Sequence, residues 1–186
     1  LSAEQAATQE QKIQQSAEAL LDNMETLLLW AKEQMQQFTP AKQVVAIDQI
    51  FENIGRSFAH EPVTMKFVDP GAVSVFTDPD YLQTIMHNLT ANAVKALKNQ
   101  PDATITWQAS KEQSNAVLSI TDNGPGLDSN ITAALFHATA QQNSRSGFGF
   151  HIIRDLAKAI DCKISVTSRP GETSFRLELP ANRTMS

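Results

Sequence analysis

Three short stretches carry residue types that could do chemistry. In His87-Asn-Leu-Thr-Ala-Asn-Ala-Val-Lys95, the residues Asn88 and Asn92 are four apart and Lys95 is three further on. On a helix those spacings put all three on one face. An amide carbonyl is a hard oxygen ligand that suits Mg²⁺, and a lysine beside it can neutralise phosphate oxygens. In Asp122-Asn-Gly-Pro-Gly-Leu127, a carboxylate ends an apolar run, and Gly124 and Gly126 let the backbone turn and approach a ligand without a Cβ in the way. In Ser146-Gly-Phe-Gly-Phe-His-Ile-Ile153, Gly147 and Gly149 open an apolar-periodic segment, and N–H groups at such a helix start suit phosphate oxygens. Each stretch also has a plainer reading: a solvated helix face, a strand-end turn, a flexible loop.

The elements that must position these residues follow from patterning. Residues 1–39 contain no Gly and no Pro. Ile13, Ala17, Leu20, Leu21, Met24, Leu27, Leu28, Ala31, Met35 and Phe38 recur at spacings of three and four, the stripe of a long helix that needs a partner. Thr39-Pro40 ends it, and a domain boundary is expected near residues 39–44, with a second domain over 44–186. Ile47, Ile50, Phe51, Ile54 and Phe58 predict a second amphipathic helix. Met65–Val68 and Val73–Phe76 alternate like strands. Asp78-Pro79 predicts a capped helix running to about Lys98. Ala103–Ala109 and Ala116–Thr121 predict two strands, and Lys163–Thr167 with Ser174–Leu179 a closing pair. A helix through Ile152, Ile153, Leu156, Ala157 and Ile160 lies between. The expected fold class is α+β, a two-layer sandwich with helices on one side of one mostly antiparallel sheet.

Composition narrows the function. The chain has 186 residues, with 15 basic and 20 acidic side chains and a formal net charge of −5. A nucleic-acid domain would usually carry a basic patch, so no nucleic-acid partner is expected. No apolar run approaches the roughly 20 residues a membrane helix needs, and no signal peptide pattern opens the chain. The first residue is Leu1 rather than Met, which leads us to expect a fragment of a longer protein. Cys162 is the single cysteine, which fits a reducing, cytoplasmic setting, and we expect it to be a small buried apolar residue.

The three stretches, in this order, resemble the N, G1 and G2 boxes of the ATP-binding domain shared by sensor histidine kinases and the gyrase, chaperone and mismatch-repair ATPases, the Bergerat-type fold. The resemblance covers residues 44–180 well and 13–38 loosely. It implies ATP and Mg²⁺ as cofactors, with Asn92 coordinating the Mg²⁺ that bridges the phosphates, Asn88 beside it and Lys95 on the phosphates. It implies that the carboxylate of Asp122 accepts a hydrogen bond from the exocyclic amine of adenine, a group guanine lacks at that position. Gly124, Gly126, Gly147 and Gly149 would shape the loops, and Thr173 would hold the water beside Asp122. The hydrolysing relatives carry Glu at position 88 as general base; Asn88 is a poor base, which favours phosphoryl transfer to a protein. Residues 128–146, with Leu135 and Phe136, correspond to a nucleotide lid. Arg145, Phe148 and Phe150 depart from the family's Gly-x-Gly-Leu-Gly-Leu, and Glu172 takes the Gly place before Thr173.

A histidine kinase also needs a phosphoacceptor. His60-Glu61 is followed at once by Pro62 and a strand pattern, whereas the family's acceptor lies inside a long helix. His87, His137 and His151 are expected to be packing or solvated residues. Leu27–Met35 resembles the second helix of the dimerisation and phosphotransfer hairpin, whose first helix would carry the acceptor. The resemblance therefore implies a catalytic region that moves the γ-phosphoryl of ATP to a histidine on its own dimerisation helix and on to a response regulator receiver domain. The intact protein would be a homodimer, either cytoplasmic or the cytoplasmic part of a membrane-bound sensor. Two other readings remain: a docking pseudokinase, and an anti-sigma-type serine kinase.

Overall fold

The computed structural model describes residues 39–69, 72–127 and 148–180. The chain divides into two units, Leu1–Thr39 and Pro40–Ser186. The helical stripe of residues 13–38, with its hairpin-like Leu27–Met35, lies outside the described residues, as do the lid-like stretch, with Leu135, Phe136, His137 and Arg145, and Gly147.

The second unit begins with β1 (Gln43–Ala46), followed by α1 (Ile47–Ser57), β2 (Thr64–Val68), β3 (Ser74–Thr77) and α2 (Pro79–Ala96). Then come β4 (Thr104–Glu112), β5 (Asn115–Asp122), α3 (Phe148–Ala159), β6 (Lys163–Arg169) and β7 (Glu172–Pro180). The strands form two sheets, not one. A five-stranded sheet has the order β2-β4-β5-β7-β6, and β1 pairs with β3 in a separate two-stranded sheet. β2 runs parallel to β4, while the other neighbours are antiparallel. The expected single sheet is corrected because β1 is only Gln-Val-Val-Ala, too short to announce itself. Its place depends on pairing Val44 with Phe76 and Val45 with Val75, thirty residues away.

Strand alternation builds one layer of the core. Ile105, Trp107 and Ala109 of β4, Leu118 and Ile120 of β5, and Phe175, Leu177 and Leu179 of β7 are all buried. They fall on one face, since successive strand residues point to opposite sides. The helices form the other layer. α1 buries Ile47, Ile50, Phe51 and Ile54, the i, i+3, i+4, i+7 set of one stripe. The ring of Phe51 lies 5.2 Å from that of Phe67 and 6.3 Å from that of Trp107.

α2 starts where its sequence says it should. The Asp78 side chain accepts the N–H groups of Asp80 and Tyr81, and Pro79 supplies the first turn. Its buried face runs Tyr81, Leu82, Ile85, Met86, Leu89, Thr90 and Ala93. Thr90 is polar, yet wholly buried. Its hydroxyl donates to Met86 O at 2.8 Å and accepts from Trp107 Nε1 at 3.0 Å. A buried indole N–H needs such a partner.

Thr90→Val should therefore leave that N–H unpaired in the core and destabilise the domain by about 1–3 kcal/mol. Denaturant unfolding checks it: the midpoint of Thr90→Val falls, and Trp107→Phe combined with Thr90→Val costs less than the sum of the two single changes. Additive losses would mean the hydrogen bond contributes nothing.

Candidate functional site

The described candidate residues come from α2, the end of β5 with its loop, α3 and β7. α2 supplies the first set. With Thr90 turned into the core, Asn88 and Asn92 fall off the buried face of the helix, half-buried, and Lys95 is exposed in its last turn. Asn88 Nδ2 donates to Thr84 O at 2.9 Å, which holds the amide in place. Asn92 is different: its Nδ2 is buried without a hydrogen-bond partner. Buried polar atoms are seldom left so, and an amide can present either its N or its O at that point. The group fits one awaiting a ligand.

β5 supplies Asp122. Its side chain follows Leu118 and Ile120 along the inner face, so a carboxylate ends an apolar row and is only 7% exposed. Across the sheet it is flanked by Ile105 on β4 and Thr173 on β7. Burial raises its pKa above the ordinary 3.8, and the Gly124 N–H, bonded to Oδ1 at 2.9 Å, offsets part of that rise. Thr173 is itself buried, and its hydroxyl lies 3.2 Å from Ser168 Oγ on β6.

The loop after Asp122 is held on both sides. The Gly171 N–H donates to Gly124 O at 3.0 Å, and the Leu127 N–H to Ser168 Oγ at 2.7 Å. A Cβ on Gly124 would stand 2.7 Å from Asp122 Oδ1, with Leu97 and Ala96 of the α2 end next nearest. Gly126 has φ +92, and a Cβ there would meet Arg169 O at 3.0 Å. Both glycines are thus demanded by the fold. The closeness of Ala96 to Gly124 also orients α2: Asn92 lies one turn before Ala96, on the same side.

α3 contributes Gly149 in its first turn, and α3 packs on α2. Ser168 is the residue that the sequence pattern missed. Its signal lies in the β6–β7 register, which sets it opposite Thr173, and no local spacing reports that.

The other expectations fall into place outside this cluster. The His87 ring packs 4.8 Å from that of Phe58. His60 is exposed in the turns after α1. Cys162 is buried, which pushes its thiol up to about 12, so it stays protonated as a packing residue. A largely apolar cavity of about 310 Å³ lies between α3 and β6, lined by Phe150, Ile153, Val166 and Phe175 among others, and it contains none of the candidate residues. Among the described residues no cluster of His, Cys, Asp or Glu could hold a metal ion by itself. Any cation here would need oxygens from a ligand beside Asn92.

The raised pKa of Asp122 fixes the sign of a stability test. The ionised form is disfavoured by folding, so the protonated form stabilises fully below pH 3.8 and that contribution is lost as pH rises through the folded-state value. Asp122→Asn should accordingly melt no lower than the parent at pH 7, with any advantage shrinking as pH falls toward 3. A variant that melts well below the parent at pH 7 would show the carboxylate to be structural. Gly126→Ala should cost about 1–2 kcal/mol by strain at positive φ, read from the same melts.

Known proteins share this fold. Residues 77–183 match the family described as histidine kinase-, DNA gyrase B-, and HSP90-like ATPase. The chain is similar to the sensory histidine kinase/phosphatase NtrB of Vibrio alginolyticus, at 31% identity over 126 residues, 62% of this chain and 36% of that protein. It thus spans about a third of that relative's length. Full-length ShkA solved in complex with AMPPNP is similar in fold, with a TM-score of 0.73 at 22% identity, covering 97% of this chain and 40% of that one. Histidine kinase ThkA solved in complex with the response regulator protein TrrA has a TM-score of 0.69 at 16% identity, covering 90% and 50%. From the N-box helix to the last strand, this chain belongs to the histidine kinase-, DNA gyrase B- and HSP90-like ATPase family.

Proposed function

We propose that the chain is the ATP-binding catalytic region of a two-component sensor histidine kinase. The observation that carries this reading is the buried Asp122, set at the mouth of a glycine loop packed against the end of α2. A buried, charged acceptor is costly unless a ligand uses it. The exocyclic amine of adenine would donate to it, while the carbonyl that guanine carries there would be repelled. Thr173, beside Asp122, supports the same edge of the base. Gly124 and Gly126 keep the loop close enough for contact.

Asn92 would hold Mg²⁺ together with the phosphates, and the ion, when bound, neutralises their charge. Turned so that its Oδ1 takes the place of the partnerless Nδ2, the Asn92 amide would offer the ion an oxygen. Lys95 adds a positive charge at the same helix face, and Gly147 and Gly149 would offer backbone N–H groups to the phosphate tail. Asn88, bonded to its own helix, is no proton acceptor, so it does not activate water. The γ-phosphoryl is then left for a protein nucleophile. The protein's work is positioning and charge neutralisation.

The nucleophile would be a histidine of the dimerisation helix in the intact homodimer, and the phosphoryl group would pass on to a response regulator. The complex of ThkA with TrrA supports such a partner. His87 packs on Phe58 and His60 stands in an exposed turn rather than inside a long helix, which supports an acceptor on the dimerisation helix. No helix of the described residues is long and apolar enough to cross a membrane.

Calorimetric titration with ATP tests the reading. Binding should depend on Mg²⁺, and Asp122→Asn and Asn92→Ala should each weaken it at least about tenfold, the loss of about 1.4 kcal/mol. Labelled ATP plus a separate histidine-bearing hairpin should give an acid-labile phosphoprotein. No heat and no competition with a fluorescent ATP analogue would sink the proposal, and an acid-stable product would make the chain a serine kinase.

A further inference from the structure

Two contacts at the entry to the domain serve neither the core nor the nucleotide site. The Ala41 N–H donates to Asp78 Oδ2 at 2.7 Å, and Lys42 Nζ reaches Asp161 Oδ2 at 2.6 Å. Asp78 is 5% exposed and caps α2 with its other oxygen, Oδ1, which takes Asp80 N–H and Tyr81 N–H at 3.0 Å each. One oxygen suffices for the cap, so the second is free for the entering chain. Asp161 lies just past α3 at φ +57, where the Cys162 N–H closes the helix onto Ala157 O at 2.8 Å. Neighbouring residues of the entry segment thus hold the start of α2 and the end of α3.

These two helices pack on each other and carry the phosphate-facing candidates at their opposite ends. Asn92 stands about 21 Å along α2 from Asp78, and Gly149 about 18 Å along α3 from Asp161, at 1.5 Å per residue. A tilt of about three degrees at the pinned ends moves the far ends by roughly 1 Å, a displacement large enough to matter to a bound substrate. The Lys42–Asp161 pair is too exposed to add much stability, with side chains 28% and 69% accessible. Its effect is geometric.

We propose that Ala41 and Lys42 form a clasp that fixes the angle between α2 and α3, making Asp78 and Asp161 positioning residues for nucleotide binding. The inference rests on the nucleotide reading above. By linkage, a nucleotide that prefers the clasped arrangement must in turn tighten the clasp.

The test uses the 186-residue chain with a fluorescent ATP analogue and Mg²⁺. Ala41→Pro removes the donor and leaves the α2 cap, while fixing φ at residue 41. Lys42→Met removes only the charge. Lys42→Met should weaken affinity about fivefold with the melting temperature essentially unchanged, and Lys42→Arg should restore it; Ala41→Pro, which leaves the buried Asp78 Oδ2 unpaired, should lose more affinity than its lower melting temperature accounts for. Bound analogue should slow hydrogen exchange at the Ala41 amide in the parent. Parent-like affinity in both variants overturns the clasp, as does a loss of affinity that merely follows a loss of stability. A parent that binds no analogue overturns the nucleotide reading itself, and the clasp with it.

Discussion

The hydrogen bond from Trp107 to Thr90 fixes the rotation of α2, and the site depends on that rotation. Thr90 lies between Asn88 and Asn92 in sequence, and each helical residue is turned about 100° from the last. Asn88 and Asn92 are therefore each about 160° around the helix from Thr90, so burying Thr90 against the sheet keeps both off the buried face and leaves them half-buried. A helix held by apolar contacts alone could slip by one residue at modest cost. One buried donor with one buried acceptor makes such a slip expensive, because both would be left unpaired. The polar pair therefore specifies which face the helix presents, while Leu82, Ile85, Met86 and Leu89 supply the burial that holds it down.

The site itself runs against the interest of folding. Asp122 occupies a position on β5 that the alternation reserves for apolar side chains, and its buried carboxylate accepts the Gly124 N–H. Asn92 keeps a buried polar atom without a partner one helix away. Gly126 sits at φ +92 against the carbonyl of Arg169. Several local rules are thus set aside among the candidate residues. The rest of the sheet obeys them: its inner face is apolar, and on the outer face Arg176 is paired with Glu112 and Glu178.

Rigidity around the glycine loop comes from the strands opposite it. Ser168 accepts from the Leu127 N–H and touches Thr173, while Gly171 N–H reaches Gly124 O. The loop is thus braced by the β6–β7 hairpin, some forty residues later in the chain. That bracing holds Asp122 and its glycines at fixed distance from the end of α2. It also explains why the hairpin belongs to the site although it carries only Thr173 among the candidate residues.

Much of this was legible in the amino-acid sequence because it is written in short-range terms. The Asp78 cap with Pro79, the three-and-four spacing of α1 and α2, and the alternation along β4, β5 and β7 are properties of residues a few positions apart. So is the placement of Asn88, Asn92 and Lys95 on one helical face. Tertiary structure decided the rest. It assigned β1 and β3 to their own sheet, made β2 parallel to β4, put Ser168 beside Thr173, and brought Ala41 to Asp78 and Lys42 to Asp161. These contacts join residues from five to more than a hundred positions apart. They are set by strand register and helix packing, and those depend on how the whole core closes rather than on any local period of the chain.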